Sequence, residues 1–373
     1  GLDIGQGFDQ YVFLPVQSTS LNVFRDYLKI IPEKSSIMIH LDGQFLFQVK
    51  EWLSLSLELK SRNIKFVTSS KAHQKLIQTL VGEDNQVFYL PLLPLIDRSR
   101  ISSNESKITQ FRQSLNVQPD DYVFLYHGPI TRQCNLLELT HLVVKLRSLF
   151  NFKMHLWFYG EFDDTAMPLL GKTQLNFEYY QQWQSIVESN DAQDYIHYLG
   201  ELDQIDENLV IDASDWGILP TCIDSEDSSL SAMNFLSKGL PVILSEWGPH
   251  LELNDLDHIK FIPLVKDSPF HFVNFSHCGK TIISIINENQ KLSTHERKIL
   301  RDNLIEKFEN IDCPSILQKL LKTSASFRRF GQTFDKVEIA FTQNPYAPFV
   351  DISSSGTYNS QFKKIYESYY KNH

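Results

Sequence analysis

Residues 215–253 read DWGILPTCIDSEDSSLSAMNFLSKGLPVILSEWGPHLEL, and the order of chemistries in that stretch decides the fold. The apolar run from Trp216 to Thr221 predicts a strand buried on both faces. It ends in an acidic, serine-rich loop, Asp224 to Ser229. A helix is predicted to start near Ser229–Ser231 and to stop at Gly239, with Ser228, Ser229 and Ser231 as N-cap candidates. Pro241 opens the next strand, and SEWGPHLEL makes a second strand-to-helix turn. The first amides of such a helix suit a diphosphate, because they lack intrahelical partners and sit at the positive end of the helix dipole. Glu226 beside them suits sugar hydroxyls. Together they fit a ligand with phosphate at one end and hydroxyls at the other.

Outward from this window, similar runs recur along the chain. Tyr11–Val16, Ser36–Leu41, Ile64–Ser69 and Gln86–Pro91 form one series. A second series starts at Tyr122, Lys153, Tyr195, Trp216, Pro241 and Lys260. The runs are continuous rather than alternating, as in strands of a parallel sheet covered on both faces. Between them lie helix-period segments; Leu136, Leu139, Val143, Leu146 and Phe150 make one apolar stripe. The fold class expected is α/β, with two doubly wound Rossmann-like domains whose ligands bind at the carboxyl ends of the strands. The polar stretch DRSRISSNESK separates the two series. The domains read as 1–115, a short amino-terminal one, and 116–325, the ligand-binding one. Residues 326–373 read as a tail with a short amphipathic helix, QFKKIYESYY.

With 42% hydrophobic and 21% charged residues over 373 positions, the chain is globular rather than disordered. A formal charge of -10 argues against nucleic acid as a partner, which needs a basic face to displace counterions. Cations do outnumber anions between Arg25 and Lys75 (Lys65 among them), and the plainer reading is a solvated helix face. Cys134, Cys222, Cys278 and Cys313 are scattered without a C-x-x-C pair, so reduced thiols are expected. No apolar run reaches the ~18–20 residues that span a bilayer. GLDIGQGFDQ at the start has no basic or apolar leader pattern and no initiator Met, so a cytoplasmic chain trimmed at its amino terminus is expected. Nucleotide-triphosphate, zinc-protease and serine-hydrolase motifs are all missing, as is an Asp-x-Asp metal site at a strand end.

The 215–253 window resembles the retaining GT-B glycosyltransferases of family four, also called group one. Glu226, Gly239, Pro241, Val242, Gly248 and Glu252 fall on that family's motif positions. The resemblance implies that Glu226 holds hydroxyls of the transferred sugar and that amides around Ser228, Ser229, Leu230 and Ser231 approach sugar and phosphate, with Thr221 at the strand end. The family's second Glu, which takes the ribose hydroxyls, is Asn234 here. FLYHGPITRQCNLLEL looks like the family's first donor-domain strand and turn, with Gly128 at the turn. The family's Arg and Lys for the diphosphate are replaced by Pro129 and Cys134, which leaves Arg132 as the cation for leaving-group charge. IMIHLDG resembles the family strand that puts a His near the sugar, so His40 is the third catalytic candidate.

The function implied is metal-independent transfer of a hexose from a nucleotide diphosphate sugar to a glycan, lipid-linked or protein acceptor, as in polysaccharide biosynthesis. No cofactor is implied beyond the donor substrate. Peripheral contact with the inner face of the membrane and a partner glycosyltransferase subunit both stay open. So does the alternative of a catalytically degenerate GT-B-like partner protein, because three donor-binding positions have changed.

Overall fold

The apolar runs form parallel strands, and the central ones, from Ser36, Asn63, Tyr122, Met154, Trp216 and Val242, are buried almost throughout. The edge strand at Gln10–Phe13 is not, and residues 14–16 of the first run lie outside the described residues. The computed structural model describes residues 9–13, 21–43, 45–91, 104–162, 178–223, 225–265, 273–344, 349–351, 357–358 and 360–370. In the first unit β1 (Gln10–Phe13), α1 (Leu21–Ile30), β2 (Ser36–His40), α2 (Val49–Ser54), α3 (Ser56–Leu59), β3 (Asn63–Thr68), α4 (Lys71–Val81) and β4 (Val87–Tyr89) follow in turn. Their sheet has the order β1-β2-β3-β4. After α5 (Glu105–Ser114) the second unit contains β5 (Tyr122–His127), α6 (Leu136–Phe150), β6 (Met154–Tyr159), α7 (Glu178–Ser189), β7 (Ile196–Tyr198) and α8 (Gln204–Asp212). It continues through β8 (Trp216–Leu219), α9 (Leu230–Ser237), β9 (Val242–Ser245), β10 (Ile259–Ile262), α10 (Phe275–Asn287), α11 (Thr294–Glu309) and α12 (Cys313–Lys322). The parallel sheet order is β10-β9-β8-β5-β6-β7. Strand β5 therefore pairs with β6 on one side and β8 on the other. Strands β5 and β8 mark the switch point of this sheet, and ligands of such sheets bind at the carboxyl ends of the strands there.

The carboxy-terminal segment is more structured than the sequence pattern suggests, and it returns to the first sheet. Helix α13 (Gln332–Gln343) buries Phe334, Val337 and Phe341, one stripe at helical spacing. Phe334 stacks on Phe45 at 5.4 Å, and Phe327 meets Phe66 edge-on at 6.2 Å. Ser326 bridges Asn63 at the start of β3. A short hairpin of β11 (Val350–Asp351) and β12 (Thr357–Tyr358) precedes α14 (Ser360–Ile365), and a 3-10 turn spans Glu367–Tyr369. The stretches expected as linker at 92–103 and as loop at 345–348, 352–356 and 359 lie outside the described residues, as does Asp224.

One expectation about charge is corrected. Lys65 belongs to no basic helix face: it lies fully buried in β3 and donates to the Leu321 carbonyl at 3.3 Å, and burial lowers its pKa. Arg62 is likewise spent on the carbonyls of Glu58, Ile31 and Leu28. Among the described residues no helix is long and apolar enough to cross a membrane.

Candidate functional site

Two loops leave the switch point. The first, after β5, is pinned from inside. The Cys134 thiol and the Tyr126 hydroxyl both donate to the Pro129 carbonyl at 2.8 Å. Asn135, in the left-handed region at φ 56°, donates through Nδ2 to the Pro220 carbonyl at 2.7 Å, and the Cys222 amide donates to the Gln133 carbonyl at 3.0 Å. The β5 and β8 loops are thus tied together. Cys134 points inward as a clip, and burial raises its pKa. Arg132 stands at the start of the 3-10 turn, and its Nε has no hydrogen-bond partner among the described residues. At Gly128, φ is 140°; a Cβ on Gly160 would come within 2.1 Å of the Gly128 carbonyl oxygen, so only glycine at 160 lets the β5 and β6 turns meet.

The acidic loop after β8 carries the chemistry. Glu226 folds its carboxylate back so that Oε1 accepts from the Ser229 amide at 2.8 Å. Burial pushes the Glu226 pKa up, while the Ser229 and Ser228 amides pull the other way. Ser229 has φ 56°, a strained conformation for a side-chain-bearing residue, and the Glu226 bond braces it. The sequence expectation of free amides from Ser228 to Ser231 is corrected at Ser228 and Ser229. The Ser229 amide is taken by the protein's own carboxylate, and α9 begins at Leu230. Leu230 is 52% exposed on this first turn, and Ser231 lies beside Gly128, with Oγ 3.5 Å from where a Cβ on that glycine would be. Thr221 is buried, and its carbonyl accepts from Ser245.

Asn234 lies against a carboxylate of the protein. Its Nδ2 donates to Oε1 of Glu207 on α8, and the same oxygen takes the Tyr159 hydroxyl at 3.1 Å and Lys238 Nζ at 3.4 Å. Burial works against the Glu207 charge, but Lys238, Asn234, His127 and Tyr159 outweigh it and bring its pKa below the ordinary value. His127 stacks on Tyr159 at 4.3 Å, and burial drops its pKa to about 4. A carboxylate therefore stands against Asn234, contributed by another helix. Sequence reading missed Glu207, since one acid on a helix looks like any solvated charge.

From the first unit, His40 ends β2 with Nε2 2.8 Å from Ser69 Oγ. Burial lowers its pKa and favours the neutral imidazole. Three residues on, Gly43 touches the acidic loop itself: a Cβ there would lie 1.6 Å from the Ser225 carbonyl oxygen. The Gly43 amide also helps hold the Asp227 carboxylate, which accepts from Ser228 Oγ at 2.8 Å. The structure thus brings Glu226, Ser228, Ser229, Leu230 and Ser231 to one loop and helix start, sets Gly128 beside Ser231, and gathers Asn234 with Glu207. Among the described residues no group of three His, Cys, Asp or Glu side chains is placed to hold a metal ion.

Asp227 supplies a pH prediction. Burial, with Glu226 nearby, raises its pKa from 3.8 to about 6. The folded chain then keeps a proton that the unfolded chain releases, so this contribution to stability is complete below the lower value and is lost as pH rises through the higher. Asp227→Asn is expected to match the wild type near pH ~4 and to exceed it in stability at about pH 8. Denaturant midpoints at the two pH values check this, and equal pH slopes in both proteins would refute it.

No family profile matches the chain, and no curated protein does. Solved structures do. HepE of Anabaena in complex with UDP and glucose superposes with TM-score 0.61 at 14% identity, covering 84% of this chain and 76% of that one. WaaG, a glycosyltransferase involved in lipopolysaccharide biosynthesis, gives 0.52 at 12%, covering 84% and 74%. Sucrose-phosphate synthase of Thermosynechococcus elongatus gives 0.54 at 12%, covering 81% and 72%. These structural neighbours are GT-B glycosyltransferases, and the likeness establishes a GT-B-like α/β fold for this chain.

Proposed function

We propose that this protein is a glycosyltransferase that moves a hexose from a nucleotide diphosphate sugar to a glycan, lipid-linked or protein acceptor. The observation that carries the reading is the acidic loop at the switch point, where Glu226 lies against the start of α9. The fold likeness supports it, since HepE was crystallised with UDP-glucose as well as with UDP. In this reading the Leu230 and Ser231 amides at the start of α9 meet the diphosphate. Arg132, with its unpartnered Nε, balances charge on the departing phosphate. Glu226 takes sugar hydroxyls, and His40 lines the sugar pocket from the other side. Glu207, whose Oε1 takes Asn234, Tyr159 and Lys238, offers Oε2 to the nucleoside hydroxyls that Asn234 alone would hold less well. Transfer proceeds without a metal and with retention, as the family resemblance implies. The proposed setting is cytoplasmic polysaccharide biosynthesis, peripheral to the membrane.

The test is calorimetry with UDP and GDP, followed by transfer or hydrolysis assays over a set of nucleotide sugars starting with UDP-glucose. Binding below millimolar concentration and measurable turnover are expected. Failure to bind either nucleotide at millimolar concentration would favour the catalytically degenerate partner protein instead. Arg132→Ala is expected to lower kcat by roughly 10²-fold while leaving the unfolding midpoint unchanged, because that side chain stabilises the leaving group and little of the fold. Unchanged kcat in that variant removes Arg132 from the mechanism.

A further inference from the structure

The carboxy-terminal strap meets the acidic loop from behind. Tyr369, wholly buried, donates its hydroxyl to the backbone carbonyl of Glu226. Its ring lies so close over Gly248 that a Cβ there would be 2.6 Å from Cδ2. That ring also meets Trp247 edge-on at 5.2 Å, and the Trp247 indole donates to the Ile223 carbonyl at 2.9 Å. Two carbonyls of one loop are thus held by two aromatic donors that pack on each other. One residue earlier, Ser368 Oγ donates to the Ala72 carbonyl of α4 at 2.7 Å. The same strap therefore grips the second unit's loop and the first unit's helix.

We propose that Tyr369 is a positioning residue, which sets the backbone of the acidic loop so that the Glu226 carboxylate can brace Ser229. This rests on the proposed transferase reading for its catalytic consequence, though not for its structural one. The bond matters because Ser229 is strained and a loop without secondary structure needs outside support to stay in one conformation. Glu226 supplies that support from its side chain, and Tyr369 holds Glu226 by its main chain. An aromatic core contact alone would need only the ring.

Tyr369→Phe keeps the ring on Trp247 and Gly248 and removes only the hydroxyl; Tyr369→Ala removes both. Hydrogen exchange on the full chain reads the loop directly at the Glu226 and Ser229 amides, which are bonded to the Ile223 carbonyl and to the Glu226 carboxylate. In Tyr369→Phe those amides are expected to exchange about tenfold faster than in the wild type, as loss of one net hydrogen bond warrants. The thermal midpoint should fall clearly only in Tyr369→Ala. Transfer by Tyr369→Phe should show kcat down about tenfold with KM nearly constant, since a displaced reactive group costs the chemical step more than binding. Wild-type exchange at both amides in Tyr369→Phe overturns the proposal. A wild-type chain with no transfer activity would remove the transferase reading, and the exchange experiment would still decide the role of Tyr369.

Discussion

Gly43→Ala is expected to cut transfer about a hundredfold, because a methyl group at that position has nowhere to go. Its Cβ would lie 1.6 Å from the Ser225 carbonyl oxygen, 2.3 Å from the carbonyl carbon and 2.7 Å from Cα. All three are backbone atoms, so no side-chain rotation relieves the clash. The loop after β2 and the acidic loop have to separate by about an ångström or more, and misplacement on that scale near reacting groups costs on the order of 10²-fold. The stability cost is expected to be about 1–3 kcal/mol, the usual range for overpacking. The stabilising contact of the Gly43 amide with Asp227 stretches at the same time. Steady-state kinetics and denaturant unfolding measure the two effects separately. Gly200→Asn serves as a control, since a Cβ there meets nothing within 4 Å and Asn tolerates the positive φ of 75°. Wild-type kcat in Gly43→Ala would mean that the two loops need not touch for transfer.

The contrast between this contact and the strands explains what a sequence can reveal. Parallel strands covered on both faces must be apolar throughout, so YVFLYH and MHLWFY show their role in composition alone. The helix Leu136–Phe150 announced itself through its stripe, of which Leu136, Leu139, Val143 and Leu146 are buried while Phe150 is exposed, and the start of α9 fell within the predicted window. The acidic loop drew notice because an acid lies between a strand and a serine-rich helix start, and the structure sets the Glu226 carboxylate on the Ser229 amide there. What stayed hidden are relations between distant segments. Nothing in HLDG says that its glycine will lie on Ser225, and nothing in the helix QIDENLVID marks Glu207 as Asn234's partner. Periodicity states which face of a helix is apolar but not which surface it covers. For that reason the stripe of Phe334, Val337 and Phe341 could not reveal that the chain returns to the first sheet. Lys65 misled for a related reason: its carbonyl partner is Leu321, more than two hundred residues away.

The second large effect belongs to Glu226, whose two roles separate by choice of substitution. Its carboxylate braces Ser229 at the start of α9, a capping contact whose loss costs about 1 kcal/mol by analogy with helix caps. It is also the group proposed to take sugar hydroxyls, and a preorganised contact of that kind is worth roughly 10²–10³ in kcat when removed. Glu226→Ala is expected to show both losses, with the kinetic loss much the larger. Glu226→Gln keeps an amide oxygen for the Ser229 N–H but gives up the charge. It should therefore recover most of the stability and only part of the rate, because charge-assisted hydrogen bonds are about twice as strong as neutral ones. The raised pKa of Glu226 adds a sign to this. If the ionised form is the one that accepts from the sugar, kcat rises with pH through that pKa in the wild type, and this limb vanishes in Glu226→Gln. Should Glu226→Gln keep full activity and the same pH profile while Glu226→Ala loses both activity and stability, the carboxylate is a helix brace alone, and another group must hold the transferred sugar.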